Sequence, residues 1–238
     1  MEYDSKGPIL KVLLILNDQP RFGGIQSPFL PFPESLLAFE HTLQTLHSAV
    51  PSADTIYISL QDKRQISDIQ FRLDNPSPLF SSHAHSDHDH HSRQISKLKI
   101  ILDEAGSRGS DIGSVANLLA AHMIYPDSSW LVVGCGFPLL PPPALQQLVL
   151  KYQDPVTCFV REDGNVEPSL RIWGSEALER LKISVESGGF VEQNWERVVE
   201  NMQRKLVKPL REEWNSKPQT IEEWEVAMMT WKEIRGGG

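Results

Sequence analysis

Five consecutive apolar residues, Val12 to Leu16, run directly into a polar loop that contains glycine. A short apolar run without alternation is typical of a strand buried on both faces of a parallel sheet. Residues 33–48 then place apolar side chains on one stripe at helical spacing, and Pro33 suits a helix start. The alternating, β-branched segment at 54–60 predicts a second strand. This order predicts a right-handed β-α-β unit.

The alternation of strands and helices continues along the chain. Further strands are predicted at 96–102, 128–136, 156–162 and 168–173, with a hairpin turn at Asp163-Gly164 between the last two. Helices are predicted at 33–48, 111–125 and 138–152, and over the remainder from Ser175. In the last of these, Trp224, Met228 and Trp231 share one face, which we interpret as packing on the core. The pattern predicts a single α/β domain over residues 1–235 with a doubly wound, mostly parallel, Rossmann-like sheet.

The composition restricts the possible partners and locations. Acidic residues number 31 and basic residues 23, for a formal charge of −8, which argues against binding to nucleic acid or to an anionic membrane surface. No apolar run approaches the roughly 20 residues of a membrane-spanning helix. The N-terminus has no signal-peptide pattern, so we predict a cytoplasmic protein. Two cysteines make no disulfide framework, and we interpret Cys135 as a core thiol.

Residues 75–94 are rich in serine, proline and histidine and predict a loop insertion. Two interpretations of its histidines stay open, because such tracts are often solvated, disordered loops and also bind Zn²⁺ or Ni²⁺. The histidines in question are His83, His85, His88, His90 and His91.

Several weak motifs occur along the chain in a fixed order. Leu16 and the segment Arg21-Phe22-Gly23-Gly24 resemble part of a glycine-bearing phosphate loop, and Leu102-Asp103 resembles a strand that ends in aspartate. Residues 113–117 resemble a helix opening with glycine, and GCGFPLLPP (134–142) and WNSKPQT (214–220) resemble two later motifs. Over roughly residues 9–231 the chain thus resembles the molybdenum cofactor guanylyltransferase family, whose fold is that of the nucleotide-diphospho-sugar transferases.

The resemblance implies transfer of GMP from GTP to a phosphorylated acceptor such as molybdopterin, with Mg²⁺ and release of pyrophosphate. It also implies which residues contact the ligands. The implied nucleotide-binding residues are Leu16, Asn17, Asp18, Arg21, Gly23, Gly24 and Asp103; the implied substrate-binding residues are Gly113 and Asn117; the implied metal ligand is Asp103.

Three departures from the family pattern favour a second function. The lysine of the phosphate loop is missing, and Asn17-Asp18 places a carboxylate where phosphate should lie. Gly136 replaces the aspartate that holds Mg²⁺ in the family. The alternative is therefore a catalytically inactive member that acts as a ligand-binding, protein-interaction or regulatory module. A rebuilt metal site would need carboxylates from the hairpin: Glu162, Asp163 and Glu167.

Overall fold

The computed structural model describes residues 10–16, 21–22, 25–60, 63–75, 97–102, 113–187 and 202–236. Within these ranges seven strands form the main sheet. They are β1 (Leu10–Ile15), β2 (Thr55–Leu60), β3 (Lys97–Leu102), β4 (Ser129–Gly134), β5 (Val156–Val160), β6 (Val166–Trp173) and β7 (Arg204–Val207). Two short ribbons lie outside it, Arg21–Phe22 with Ile25–Gln26 and Pro31–Phe32 with Leu36–Leu37.

The order of the strands across the sheet is β7-β5-β6-β4-β1-β2-β3. Strand β1 is parallel to both of its neighbours, and β3 is parallel to β2. Strand β6 runs antiparallel between β4 and β5, and β7 is parallel to β5. The mostly parallel α/β sheet that the sequence predicts is confirmed, and the predicted hairpin forms its antiparallel part.

Six described helices accompany the sheet: α1 (Ala38–Ala49), α2 (Gln65–Asp74), α3 (Gly113–Ile124), α4 (Pro142–Leu150), α5 (Ser175–Glu186) and α6 (Ile221–Gly236). Helices α1 and α4 pack on one face, and α3 and α5 pack on the other. Alternate residues of β1 therefore enter two cores, Val12 and Leu14 on the first face and Leu13 and Ile15 on the second. This two-sided burial explains the unbroken apolar run. No helix among the described residues is both long and apolar enough to cross a bilayer.

Helix α1 begins later than predicted. Residues Pro33–Ser35 form a 3-10 turn, and Leu36–Leu37 pairs with Pro31–Phe32. Glu34 and Ser35 have positive φ angles of 65° and 62°, and these left-handed conformations end any helix at this point. The prediction counted Leu36 in the apolar stripe of the helix, but Leu36 precedes the helix and packs in a separate small core.

The predictions also missed two elements. The stretch after Ser175 was predicted to be helical throughout, which is wrong at β7, where residues Arg204–Val207 pair with β5. Only Val207 of this strand is buried, so the segment lacks the alternation that signals a strand. Helix α2 was not anticipated because Ile69 is its one fully buried residue.

The C-terminal helix α6 closes the small third core. Trp224 is 3% exposed and packs with Leu30 and Phe32, as the spacing of the tail predicted. Its Nε1 donates to the carbonyl oxygen of Pro31 at 3.4 Å. Arg235 binds the Glu34 carboxylate at 2.9 Å. Helix α6 therefore holds the segment that leads from β1 to α1.

Candidate functional site

The order in which strands are added to the sheet reverses between β1 and β4. From β1 the chain continues to β2 and β3 on one side, and β4 then returns on the other side of β1. In open α/β sheets, the crevice beyond the carboxyl ends of two such strands is the usual ligand site. Leu16 follows β1 at this edge, and residues 135–138 follow β4.

Lys217 lies directly over the chain after β4. Its side chain passes so close to Gly136 that a Cβ atom there would lie 3.0 Å from the lysine Cε and 3.1 Å from its Cγ. Only glycine permits this approach without a shift of the lysine. The ammonium group also lies 5.8 Å from the centroid of the Phe137 ring. The lysine side chain is 9% exposed, so its charge is held close to the protein interior.

A single carboxylate, that of Glu167, is shared by two cations. Lys217 Nζ lies 3.5 Å from Glu167 Oε1 and also donates to Ser169 Oγ at 3.5 Å. The Ser169 hydroxyl donates to the same carboxylate oxygen at 2.8 Å. Arg161 Nη2 lies 3.6 Å from the other oxygen, Oε2. Both oxygens of Glu167, which is 11% exposed, are thus engaged.

Arg171 adds a third positive charge to this group. Its side chain is fully buried, and its Nε donates to the backbone oxygen of Glu167 at 3.2 Å. The guanidinium also lies 5.4 Å from the Trp173 ring. We call Lys217, Arg161, Arg171, Glu167 and Ser169 the Lys217 cluster. Its side chains contain three cations, which meet around the carboxylate and the backbone oxygen of Glu167.

A cavity of about 350 Å³ adjoins the Lys217 cluster. It lies between the turn of the β5–β6 hairpin and the 3-10 turn Glu212–Asn215. Neither amide atom of the buried Asn215 has a hydrogen-bond partner within the described part of the chain, and the same holds for the buried Glu212 Oε1. Native proteins rarely leave such groups unsatisfied, so these atoms mark a place for a bound water or a polar ligand. The lining residues are Arg161, Glu162, Asp163, Glu212, Asn215, Ser216 and Lys217.

Two carboxylates at the rim of the cavity have partners of their own. Glu162 pairs with Lys208 at 3.4 Å on the exposed surface. Asp163 accepts hydrogen bonds from the backbone N–H and the side-chain amide of Asn165, each at 2.9 Å. These bonds lower the pKa of Asp163 below its ordinary value and fix the hairpin turn.

Among the described residues, the end of β4 does not fit a divalent metal. Mg²⁺ requires oxygen ligands in a near-octahedral arrangement, and Gly136 offers no side-chain oxygen. The ammonium of Lys217 would repel a second cation there, while Glu167 is already engaged by Lys217 and Arg161. Across the described ranges, no group of three His, Cys, Asp or Glu side chains is arranged to hold an ion. A site rebuilt from the hairpin carboxylates would include Asp103, which lies outside these ranges, so it stays a prediction.

The residues named by the sequence resemblance fall into two groups. Leu16 lies in the core on the α1 face, and its N–H donates to the Ser59 carbonyl at 3.2 Å. Gly113 begins α3, and Asn117, one turn later, is fully buried with no partner for its amide among the residues described. The backbone of Arg21 pairs with Gln26.

The other named residues lie outside the described ranges: Asn17, Asp18, Gly23, Gly24, Asp103 and the histidines between 83 and 91. Their predicted roles, like those of Leu16, Arg21, Gly113 and Asn117, stay predictions.

Sequence reasoning did not single out Lys217 or Asn215 as ligand-contacting residues. One signal was available, since WNSKPQT was matched to a family motif and Lys217 stands in it. The contact with Gly136 joins segments separated by three strands and two helices, so spacing alone could not reveal it.

His41 connects helix α1 to the loop after β4. Its ring stacks on Phe32 with centroids 3.9 Å apart, and the ring of Trp231 lies edge-on at 6.1 Å. It also forms a hydrogen bond with the backbone of Pro138. Burial, and secondly the positive charge of Arg235, lower the pKa of His41 to about 4. Neutral His41 therefore supports the loop that carries Gly136.

Acidification should destabilise the fold through His41. In the unfolded chain this histidine regains its ordinary pKa of about 6.5, so between about pH 6.5 and about pH 4 the unfolded chain binds a proton that the folded chain does not. The free energy of unfolding should fall with pH across this window, by at most about 3 kcal/mol. Urea titrations of the wild type and of His41→Gln measure it. The variant should lose this part of the pH dependence, and equal slopes in both proteins would refute the assignment.

Comparisons with known proteins support the fold. Compared by sequence, the chain matches no protein-family model and no curated protein. Compared by structure, it is similar to molybdopterin-guanine dinucleotide biosynthesis protein A from Archaeoglobus fulgidus, with a TM-score of 0.66 at 14% identity over 94% of this chain and 99% of that one.

Two further solved structures have the same architecture. A nucleotidyl transferase from Methanothermobacter matches with a TM-score of 0.66 at 10% identity, over 96% of this chain and 100% of that one. A CMP:2-keto-3-deoxy-manno-octonic acid synthetase in complex with CTP matches with a TM-score of 0.63 at 9% identity, over 95% and 99%. The chain therefore has a nucleotidyltransferase-like fold.

Proposed function

We propose that this chain binds a nucleotide, GTP foremost, as a catalytically inactive ligand-binding or regulatory member of the nucleotidyltransferase-like fold. The observation that carries the proposal is that Lys217 lies directly over Gly136, which stands where the resembled family has its metal-binding aspartate. Full-length similarity to three proteins of this fold supports nucleotide binding, since one of them was solved with CTP. A phosphorylated ligand such as molybdopterin is the proposed second partner, and a cytoplasmic location stays a prediction.

The loss of catalysis follows from the chemistry of nucleotidyl transfer. In metal-dependent transfer, the metal ion bridges phosphate oxygens and stabilises both the attacking and the leaving oxygen. A lysine ammonium supplies one fixed charge, and it does not bind several oxygens in a defined geometry as a metal does. Phosphate binding is therefore retained at this edge, while the support for in-line displacement is lost.

The second candidate function is Mg²⁺-dependent transfer of GMP from GTP to molybdopterin. It is favoured by the similarity to molybdopterin-guanine dinucleotide biosynthesis protein A over almost the whole of both chains. It requires Asp103, which follows β3 in the sequence, to hold the metal without help from position 136.

Calorimetry and a pyrophosphate-release assay distinguish the two functions. We expect the protein to bind GTP more tightly than ATP or CTP, and to release no more pyrophosphate than a protein-free control when GTP, Mg²⁺ and molybdopterin are present. Pyrophosphate release that needs Mg²⁺ and is lost in Asp103→Ala would establish the transferase instead. Absence of binding by all three nucleotides at millimolar concentration would overturn nucleotide binding altogether.

A further inference from the structure

Two lysines and two tyrosines meet towards the amino ends of the central strands, away from the crevice at the carboxyl ends of β1 and β4. Lys11, Tyr57 and Lys99 stand in the first halves of β1, β2 and β3, and Lys99 lies opposite Tyr57 in the register. Tyr125 follows α3 directly, and its ring packs edge-on against Tyr57 with centroids 5.4 Å apart. We call these four residues the Tyr125 cluster.

The phenol oxygen of Tyr125 takes part in two hydrogen bonds. Its partners are the hydroxyl of Tyr57 and the ammonium of Lys99. The bond from Tyr57, and then the bond and the charge of Lys99 together with the charge of Lys11, lower the pKa of Tyr125 below its ordinary value. Burial, and secondly the bond to Tyr125, raise the pKa of Tyr57, so Tyr57 stays protonated and remains the donor.

The two ammonium groups are held against the tyrosine rings. Lys11 Nζ lies 4.2 Å from the ring centroid of Tyr125 and 5.7 Å from that of Tyr57. Lys99 Nζ lies 5.8 Å and 6.0 Å from the same two centroids. Contacts of this length attract a cation to the ring face. Neither lysine forms an ion pair with a carboxylate in the part of the chain that the structure describes, so both charges favour the phenolate of Tyr125.

Tyr152 has the opposite environment and serves as an internal reference. Its hydroxyl donates to Asp154 Oδ1 at 2.5 Å and lies 2.8 Å from Ser129 Oγ. Burial, and secondly the bond to Asp154, raise the pKa of Tyr152. Tyr125 and Tyr152 are both partly exposed. Their surrounding charges, and not their access to solvent, therefore distinguish the two phenols.

We propose that Tyr125 is a covalent-modification site, at which the phenol oxygen attacks an electrophilic phosphoryl donor. In this step an oxygen–phosphorus bond forms while the bond from phosphorus to its leaving group breaks. The leaving group keeps the bonding electron pair, and the phenol proton passes to solvent. A hydrogen-bonded phenolate next to fixed cations is a more available nucleophile than an ordinary tyrosine. The proposal concerns the other end of the strands, so it does not depend on nucleotide binding at the crevice.

The two lysines also favour a phosphoryl group over an acyl group. A phosphoryl group keeps negative charge beside Lys11 and Lys99, and each ammonium has three N–H donors, of which some can reach its oxygens. An acyl group would abolish the negative charge and leave two ammonium groups beside a neutral ester.

Labelling with diisopropyl fluorophosphate, followed by mass spectrometry of the tyrosine peptides, tests the nucleophile. The phenol oxygen displaces fluoride from phosphorus. At neutral pH we expect Tyr125 to be labelled about 10-fold or more faster than Tyr152, because their pKa values are shifted in opposite directions. Tyr125→Phe should remove this label and leave the labelling of Tyr152 unchanged.

Lys99→Met removes both a hydrogen bond and a charge from Tyr125. The phenolate fraction should fall about 10-fold, but a phenolate of higher pKa is more nucleophilic, so labelling should slow about 3-fold. Lys99→Arg keeps the charge and should stay close to the wild-type rate. The matched control is Lys151→Met, at an exposed lysine after α4, and it should leave the rate unchanged.

Tyr57→Phe guards against a lysine variant that folds poorly. It keeps the buried ring and removes only the hydroxyl donor, so it too should slow the labelling of Tyr125 about 3-fold. Urea titrations confirm that each variant is folded before its rate is measured. The pH profile of labelling should move to higher pH in both Tyr57→Phe and Lys99→Met.

Phosphotyrosine incorporated at position 125 tests the product. Its second phosphate pKa, measured by ³¹P NMR, should lie below the ordinary value of about 6 and return to it in Lys11→Met/Lys99→Met. An unshifted value would overturn the preference for a phosphoryl group. Equal labelling of Tyr125 and Tyr152, label on the lysines in place of the phenol, or a rate unchanged by both Lys99→Met and Tyr57→Phe would overturn the proposal itself.

Discussion

Replacing Glu167 with leucine should lower the free energy of unfolding by about 3–5 kcal/mol, as is typical when one partner of a buried ion pair is removed. Glu167 is 11% exposed and engages Lys217 and Arg161 through different oxygens. Its loss would leave the ammonium of Lys217 close to the interior beside two guanidinium groups. Urea unfolding of Glu167→Leu and the wild type measures the change.

Two further variants decide whether charge is the cause. Glu176→Gln breaks an exposed pair with Arg180 on α5 and should cost at most about 1 kcal/mol. The double variant Glu167→Leu/Lys217→Met removes both partners of the ion pair, so it should recover much of the stability lost in the single variant. If the double variant is as unstable as Glu167→Leu, the carboxylate acts through packing and not through charge.

Gly136 and Lys217 are in close contact. A side chain at 136 would place its Cβ 3.0 Å from Lys217 Cε, so the lysine side chain would have to shift by a few tenths of an ångström. An aspartate at that position would also pair with the ammonium and neutralise it. Glycine at 136 and the lysine at 217 thus belong to one arrangement, which places a positive charge over the chain after β4.

The fold could be predicted because local signals and tertiary packing agree. The apolar run of β1 is buried on both faces, and the Asp163-Gly164 turn joins two strands of the sheet. The predictions failed where local signals and tertiary packing disagree. The strand β7 exposes most of its side chains, and the backbone at Glu34 and Ser35 turns left-handed inside a stripe of helical spacing.

Much less of the candidate site could be predicted, because its groups meet across long distances in the chain. Family motifs led to Asn17, Asp18, Gly23, Gly24 and Asp103, which lie outside the described ranges. The Lys217 cluster brings together a residue before α6 and residues of the β5–β6 hairpin. No periodicity or short motif encodes that meeting, since β7 and α5 intervene. Only the tertiary structure shows which charges share one carboxylate.

Replacing Trp224 with alanine should destabilise the fold by about 3–5 kcal/mol, the usual cost of truncating a buried tryptophan. The side chain is 3% exposed, and its ring packs edge-on against Phe32 with centroids 6.5 Å apart. Its Nε1 also donates to Pro31, which belongs to the segment between β1 and α1. The variant should therefore loosen both α6 and that segment, and urea unfolding measures the loss.

Met229 on the same helix provides the matched control. It is 57% exposed, so Met229→Ala should change the free energy of unfolding by no more than about 0.5 kcal/mol. Limited proteolysis of Trp224→Ala should cut within residues 25–37 faster than in the wild type, because the truncation frees the ribbon that Phe32 holds against α6. Equal cleavage in both proteins would mean that α6 stabilises the fold without holding this segment.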